Sequence, residues 1–472
     1  MISMRTLTIS SLKIDRRLCF SLAAVAIMFF FLFGRLNHYL QQSLYESAYY
    51  HLGVPALVAI YLAVRGFHDG TEMKILILYV AWAVFSRILN GDRFLLTEVD
   101  YLIDLSTMIL LFAPGVLLHG KQREKLLHLA SGVIVLFFLF MAAVCIYTGI
   151  TRSFVLNPID LWGIGYAEYS PKRLIFLSYQ WNETAALFVI AFGLCLVLFF
   201  RTRNVLIRAG LVIAAAADYI VVGLTWSRNG QTCVCLILGM MFGILAVGRM
   251  ARQALWKRVC AFFAVCLLVT VLVYQVFEPA RYGLWLIGHG KEATTAYERE
   301  DTEGTEEENA EEKTAAYAAD NRNYLKSGRK KIYRSAFKSL QMEPKRLLIG
   351  SGYYHVMDIS HTLIKEQAKH FHNTFLQVVN EFGLIGLALV VWFYLRILIL
   401  SFRMIFRTDE RVAAGDKMLS LIPIGLMCFF MLEVGIFKIV DMANFTFTFF
   451  YFICGMLTGV AKNLTDRETE QA

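Results

Sequence analysis

Charged residues are scarce in this sequence: they make up 18% of 472 residues, against 57% hydrophobic and 14% aromatic, with a mean hydropathy of +0.55. That scarcity excludes the two or three soluble domains that length alone would suggest. The one long polar segment, from Glu278 to about Phe371, contains no cysteine. All nine cysteines (Cys19, Cys145, Cys195, Cys233, Cys235, Cys260, Cys266, Cys428 and Cys454) fall in or beside apolar runs and read as small packing residues. Cys233-Val-Cys235 is too closely spaced for a zinc pair and has no second pair nearby, so no metal site is expected. No Walker or dinucleotide pattern surrounds the lone Gly350-Ser351-Gly352, and no cofactor is implied. No small-x-small cleavage site follows the first apolar run at Gly34-Arg-Leu-Asn, which predicts a retained span and not a removed signal peptide.

What remains is a chain of apolar runs of membrane-spanning length. About twelve spans are expected, near residues 18–34, 52–64, 74–90, 101–118, 126–147, 184–200, 205–225, 231–248, 258–277, 376–401, 418–437 and 443–460. The predicted class is an all-α polytopic membrane protein with one large extracytoplasmic loop between the ninth and tenth spans. Its expected parts are spans one to nine over 1–277, the loop over 278–375, the last three spans over 376–461 and a cytoplasmic tail over 462–472. The net charge is +9. With both termini cytoplasmic, about 22 Lys and Arg fall on inner segments and about 8 on short outer loops. Arg5, Lys13, Arg16 and Arg17 head the chain, and Arg201, Arg203, Arg208 and Arg249, Arg252, Lys257, Arg258 form further inner clusters. The basic balance is therefore a topology signal and not a nucleic-acid footprint.

The first five spans carry little chemistry. Asp100 and Asp104 lie one helical turn apart at the start of the fourth; Asp104 reads either as a cavity-lining carboxylate or as an end residue reaching for water. Thr148 to Glu183 is an outer loop ending in Lys172-Arg173 and then Gln180-Trp181-Asn182-Glu183, which reads equally as a pyrophosphate or sugar site and as an ordinary amphipathic loop. The seventh and eighth spans are joined only by Thr225-Trp226-Ser227-Arg228-Asn229-Gly230-Gln231. Ser227 suits a helix cap there. Arg228, held by so short a connection, suits either a phosphate clamp or a rim anchor, since its planar fork pairs two oxygens at once.

In the polar segment, Glu278 to Ile287 is partly apolar and fits a piece lying on the membrane. Residues 298–313 form an acidic run that reads as a solvated insert. Ser327-Gly328-Arg329 opens a helical pattern through Leu340 that Pro344 ends. The segment closes with His370-Phe-His372-Asn373, nine residues, and Gly383-Leu-Ile-Gly386 at the mouth of the tenth span. An imidazole at such a boundary suits general acid–base work, and glycines three apart let a helix or lipid chain approach the backbone. Glu433, Lys438 and Asp441, in the last two spans, read as structural.

These residues resemble the O-antigen ligase and O-antigen polymerase superfamily of bacterial envelope glycan assembly. The family hallmark is His-Asn, nine residues and Gly-x-x-Gly after a large extracytoplasmic loop. Ser327-Gly328-Arg329 followed by Gly350-Ser-Gly352, and Ser227-Arg228 at the short turn, are similar to its other motifs. The sixth-span start departs from the pattern, with Gln180-Trp181-Asn182-Glu183 where the family often shows Asn-Pro-Asn.

The resemblance implies an inverting, metal-independent glycosyl transfer at the outer face of the inner membrane. The donor is a glycan on undecaprenyl pyrophosphate and the acceptor a glycan or lipid hydroxyl. His372 is the implied base, with His370 as its alternative, and Arg228 and Arg329 clamp the pyrophosphate. Asn373, Arg173, Ser227, Gly350 and Gly352 are candidate substrate contacts, and Gly383 and Gly386 candidate helix-packing positions. Membrane lipids and a chain-length regulator are the further expected partners. Transfer to protein hydroxyls and transport of lipid-linked sugars are the alternatives. Transport predicts several mid-span charges, of which Asp218 is the clearest.

Overall fold

Asn204, Ser227 and Asn373 each open a helix by the same device: an extended backbone and a side-chain oxygen that accepts an N–H of the first turn. The protein is described by a computed structural model covering residues 7–9, 12–34, 48–65, 70–90, 96–151, 155–156, 163–167, 170–176, 181–289, most of 333–340, 344–351, 371, 373–407, 412–431 and 445–469.

In chain order the helices are α1 (Arg16–Gly34), α2 (Ala48–Arg65), α3 (Gly70–Asn90), α4 (Leu96–Leu117), α5 (Gly120–Thr151), α6 (Trp181–Arg201), α7 (Val205–Leu224) and α8 (Arg228–Arg249). There follow α9 (Leu255–Tyr274), α10 (Phe277–His289), α11 (Pro344–Ile349), α12 (Thr374–Phe406), α13 (Ala414–Leu419), α14 (Leu421–Met431) and α15 (Phe445–Thr469). The apolar runs read as spans overlap these helices, except that 418–437 falls on both α13 and α14 and ends in residues outside the described ones. Among the described residues, eight helical stretches are long and apolar enough to cross a bilayer, and Leu52–Arg65 and Leu105–Leu117 are shorter apolar helices. The protein is an all-α polytopic membrane protein. The acidic run 298–313 and residues 432–444, with Glu433, Lys438 and Asp441, lie outside the described residues.

The strands are minor. β1 (Leu7–Ile9) pairs antiparallel with β2 (Leu12–Ile14), and β3 (Val155–Leu156), β4 (Gly163–Ala167) and β5 (Ser170–Phe176) form an antiparallel sheet in that order. The second sheet corrects the reading of 148–183 as a plain loop. Leu174, in the β5 run Arg-Leu-Ile-Phe, is fully buried beneath it.

The bundle has a buried centre and a bare edge. Of the membrane-spanning window in α15, 83% is buried, against 11% in the window that starts with α9. α15 meets α4 backbone to backbone: a Cβ on Gly455 would lie 2.2 Å from the Phe112 carbonyl oxygen, and one on Gly459 would lie 1.9 Å from that of Gly115. Gly455 and Gly459 are thus a small-xxx-small contact. Gly239 and Gly243 of α8 make a second, against Cys266 and Phe262 of α9.

One ion pair ties α3 to α12 across the chain. Glu72, almost fully buried, accepts from Arg396 Nε at 2.9 Å and from its terminal nitrogen at 2.7 Å. Removing one partner of such a pair leaves a desolvated charge and typically costs about 3–5 kcal/mol. Arg396→Ala is therefore expected to lower the melting temperature of the purified protein, and a second change, Glu72→Gln, should recover part of the loss. Unchanged melting of Arg396→Ala would mean that the pair is solvated.

The helix directions follow from a layer of cationic ties at one end of the bundle. Arg201, ending α6, pairs with Asp416 of α13, and Arg258, near the start of α9, donates to the Phe406 carbonyl that ends α12. Lys417 Nζ donates to the Arg407 carbonyl at 2.6 Å. Cations at the last carbonyls of a helix satisfy groups that no residue of the helix can reach. Arg123 interacts electrostatically with Asp416 and Arg201, so it belongs to this layer. Neighbouring His119 is held below the ordinary histidine value by burial and then by Arg17, Arg123, Lys462 and Arg65. Because α6 and α12 finish here, their first residues lie at the opposite end. So do the α7–α8 turn and the close of α14.

Candidate functional site

That opposite end is built from three pieces: the turn between α7 and α8, the start of α6, and the start of α12 with the segment that packs on it.

The turn is braced by its own side chains. Thr225 Oγ1 donates to the Val222 carbonyl at 2.7 Å and accepts the Ser227 N–H at 3.2 Å. Ser227 Oγ accepts the Gly230 N–H at 3.2 Å and donates to Asn182 Oδ1 at 2.7 Å, which joins the turn to the first residues of α6. A Cβ on Gly230 would lie 2.5 Å from Ala185 Cβ, so α8 packs directly on α6 there. Trp226 takes a positive φ of 55°, a conformation that costs a side-chain-bearing residue about 1–3 kcal/mol. The Arg281 guanidinium of α10 lies 3.9 Å from the centre of its ring and pairs with Glu278. Arg228 is the first residue of α8 and is exposed. Ser227, a candidate substrate contact in the sequence, is buried and acts as cap and tie.

α12 begins with a polar cluster buried at the mouth of an apolar helix. Asn373 Oδ1 accepts the Leu376 N–H at 2.9 Å and its Nδ2 donates to the Met431 carbonyl at 3.0 Å; Thr374 Oγ1 donates to the Phe430 carbonyl at 2.7 Å. The start of α12 is thereby laced to the end of α14. Phe371 packs on Ala336 and Leu376, and its N–H donates to Gln377 Oε1 at 3.0 Å; Gln377 Nε2 in turn donates to Glu381.

α12 is broken at Gly383, which has φ 70° and ψ −171° inside the helix. Gly350, with φ 79°, ends α11 and fits into the break. Ser351 binds the Asn380 carbonyl through both its N–H, at 2.7 Å, and its hydroxyl, at 3.0 Å. α3 supplies the remaining donors. Trp82 Nε1 reaches the Phe382 carbonyl at 2.8 Å, Ser86 donates to the Ile349 carbonyl, and Asn90 Nδ2 reaches the Gly350 carbonyl at 3.1 Å. The third span, among the first five that read as carrying little chemistry, thus supplies structural donors to the α11–α12 contact. A four-residue spacing of polar-tipped side chains, Trp82, Ser86 and Asn90, was the available signal. The stacking of Arg281 on Trp226 had none.

Of the other candidates, Gly386 faces Phe382 of its own helix and Trp82 of α3, and Gly350 is buried in a backbone contact. Arg173 falls on β5, and its side chain is not described. His370, His372, Arg329 and Gly352 lie outside the described residues; the chain neighbours of His372 on both sides, Phe371 and Asn373, are described.

Residues 220–391 match the family model described as O-antigen ligase. No curated protein matches the chain. The matched stretch contains the short turn with Ser227 and Arg228, the α11–α12 contact and the whole His372-Asn373 to Gly386 motif. Over that stretch, which carries the short turn and the α11–α12 contact but not α3, the start of α6 or the end of α14, the chain is similar to the O-antigen ligase family.

Proposed function

We propose that the protein transfers a glycan from undecaprenyl pyrophosphate to an acceptor hydroxyl, with inversion and without a metal, at the outer face of the cytoplasmic membrane. The observation that carries this reading is that the matched region brings the Ser227–Arg228 turn and the neighbours of His372 to the same end of the bundle. The cationic layer of Arg201, Arg258, Arg123 and Lys417 gathers at the other end. Under the positive-inside rule this supports a cytoplasmic face there and an outer face at the site.

In the proposed step, His372 accepts the proton of the acceptor hydroxyl as its oxygen attacks the anomeric carbon. The bond from that carbon to the pyrophosphate oxygen breaks, and its electron pair leaves with the lipid pyrophosphate. Arg228 and Arg329 stabilise the growing charge. The braced turn suits Arg228 to this, because Thr225 and Ser227 hold the backbone from which it projects. Asn373 frames the base, since its amide oxygen and nitrogen are both engaged by backbone groups.

Purified protein in proteoliposomes, supplied with lipid-linked repeat units and no other acceptor, tests the reading. Lengthening chains indicate a polymerase, and transfer only after a lipid or protein acceptor is added indicates a ligase. No transfer to any of these acceptors would refute the proposal. Arg228→Ala is expected to lower the rate about 10²–10³-fold, the usual cost of removing one charge-stabilising donor. Arg228→Lys should recover only part of it, because a lysine is a point charge without the fork.

A further inference from the structure

We propose that Gln377 and Glu381 form a buried positioning pair that sets the backbone on which His372 sits. The inference rests on the reading of His372 as the base. Gln377 and Glu381 stand one helical turn apart on the first segment of α12, before the Gly383 break, and both are fully buried. Gln377 uses both ends of its amide. Its oxygen accepts the N–H of Phe371, the residue before His372, and its nitrogen donates to the Glu381 carboxylate.

An accepting oxygen at 381, together with the N–H of Phe371, gives this arrangement its direction. An amide in isolation is free to turn over, exchanging oxygen for nitrogen, and either face fills the same space. The Glu381 oxygen that faces Gln377 accepts from its nitrogen, which leaves the Gln377 oxygen facing Phe371. The wrong orientation would set the amide nitrogen against the N–H of Phe371 and its oxygen against the carboxylate. Glu381 therefore acts on the base through two intermediaries and need not touch substrate.

The far side of His372 is fixed separately. Asn373 is tied to Leu376 and to the Met431 carbonyl, and Thr374 to the Phe430 carbonyl. Glu381 is itself anchored from below. The Asn380 carbonyl accepts from Ser351, and the Glu381 carbonyl lies against Gly350, where an added Cβ would come within 2.1 Å of its oxygen. The two chain neighbours of His372 are thus held by independent groups of bonds. The Gln377–Glu381 pair is the adjustable one, because its partner bond runs through two side chains and not through a cap.

The test measures kcat and the donor KM of glycan transfer in proteoliposomes for Gln377→Asn, Glu381→Gln and Glu381→Ala, with His372→Ala as reference. Gln377→Asn keeps the amide but is one methylene too short to serve both partners. It is expected to lower kcat about 10–100-fold, the effect of misplacing a reacting group by about an ångström, with donor KM within about threefold. Glu381→Ala should behave in the same way. Glu381→Gln retains an oxygen that accepts from Gln377 and should stay within about fivefold of wild type.

Unchanged kcat in Gln377→Asn beside an inactive His372→Ala would overturn the positioning role and leave the base in place. An active His372→Ala would instead overturn the reading beneath it. Equal losses in Glu381→Gln and Glu381→Ala would show that the carboxylate handles charge itself, which is also against the inference. Should Glu381→Ala fail to accumulate, Gln377→Asn and Glu381→Gln decide the matter between them.

Discussion

His372→Ala is expected to lower glycan transfer by about 10²–10⁴-fold, the range that a general base contributes, with protein abundance and melting temperature unchanged. The reason to expect loss of chemistry without loss of fold lies in the neighbours. Phe371 is buried against Ala336 and Leu376, and Asn373 caps α12 and is tied to α14, so both chain neighbours of position 372 are held by groups other than the imidazole. His370→Ala serves as the internal comparison. If His370 is the base, the two results exchange places, and the assignment moves by two residues while the reaction class stands. The quantities to compare are the rate per molecule of folded protein and its melting curve. A His372→Ala protein that transfers glycan at the wild-type rate would remove the imidazole from the mechanism.

The spans were legible in the sequence because a bilayer imposes one requirement, about twenty apolar residues with all backbone groups satisfied within the segment. The short connection from Thr225 to Gln231 was legible for a related reason: it leaves no freedom for the two helices it joins. Residues with dual chemistry were harder. Asn373 reads in the sequence as a substrate contact, yet both ends of its amide bond to backbone in the fold. Gly350 reads as a candidate substrate contact in a glycine turn, and in the fold it fills a gap in a helix. In each case the side chain's partner lies far along the chain or depends on a backbone bend, and spacing carries no record of either. Trp82, Ser86 and Asn90 are the clearest instance. Their repeat is visible, but the carbonyls they serve belong to Phe382, Ile349 and Gly350, some 260–300 positions away. The stack of Arg281 on Trp226 accompanies a positive φ at Trp226, which no residue type announces.

The second large effect concerns the break itself. Gly383→Ala is expected to prevent stable accumulation of the protein, through two costs that add. The left-handed backbone at φ 70° disfavours any side chain by about 1–3 kcal/mol. The new Cβ would also lie 2.1 Å from the Leu348 carbonyl oxygen and 2.5 Å from the Ile349 nitrogen. Those atoms are backbone and cannot swing aside as the end of a side chain does. They are moreover pinned by Ser86, which holds the Ile349 carbonyl, and by Asn90, which holds the next one. Relief would require α11 to leave the break, and that would release the bonds from Ser351 to the Asn380 carbonyl as well. Against a total stability of about 5–15 kcal/mol, such a loss is large. Gly210→Ala in α7 is the control, since nothing lies within 4 Å of a Cβ there, and it should accumulate and melt as wild type does. Gly350→Ala should match Gly383→Ala, because its Cβ would meet the Glu381 carbonyl at 2.1 Å from the other side of the same contact. Normal abundance and melting of both variants would mean that α11 does not occupy the break in the membrane. In that case the first nine residues of α12, with Gln377 and Glu381 among them, would lose the support that orients the chain on either side of His372.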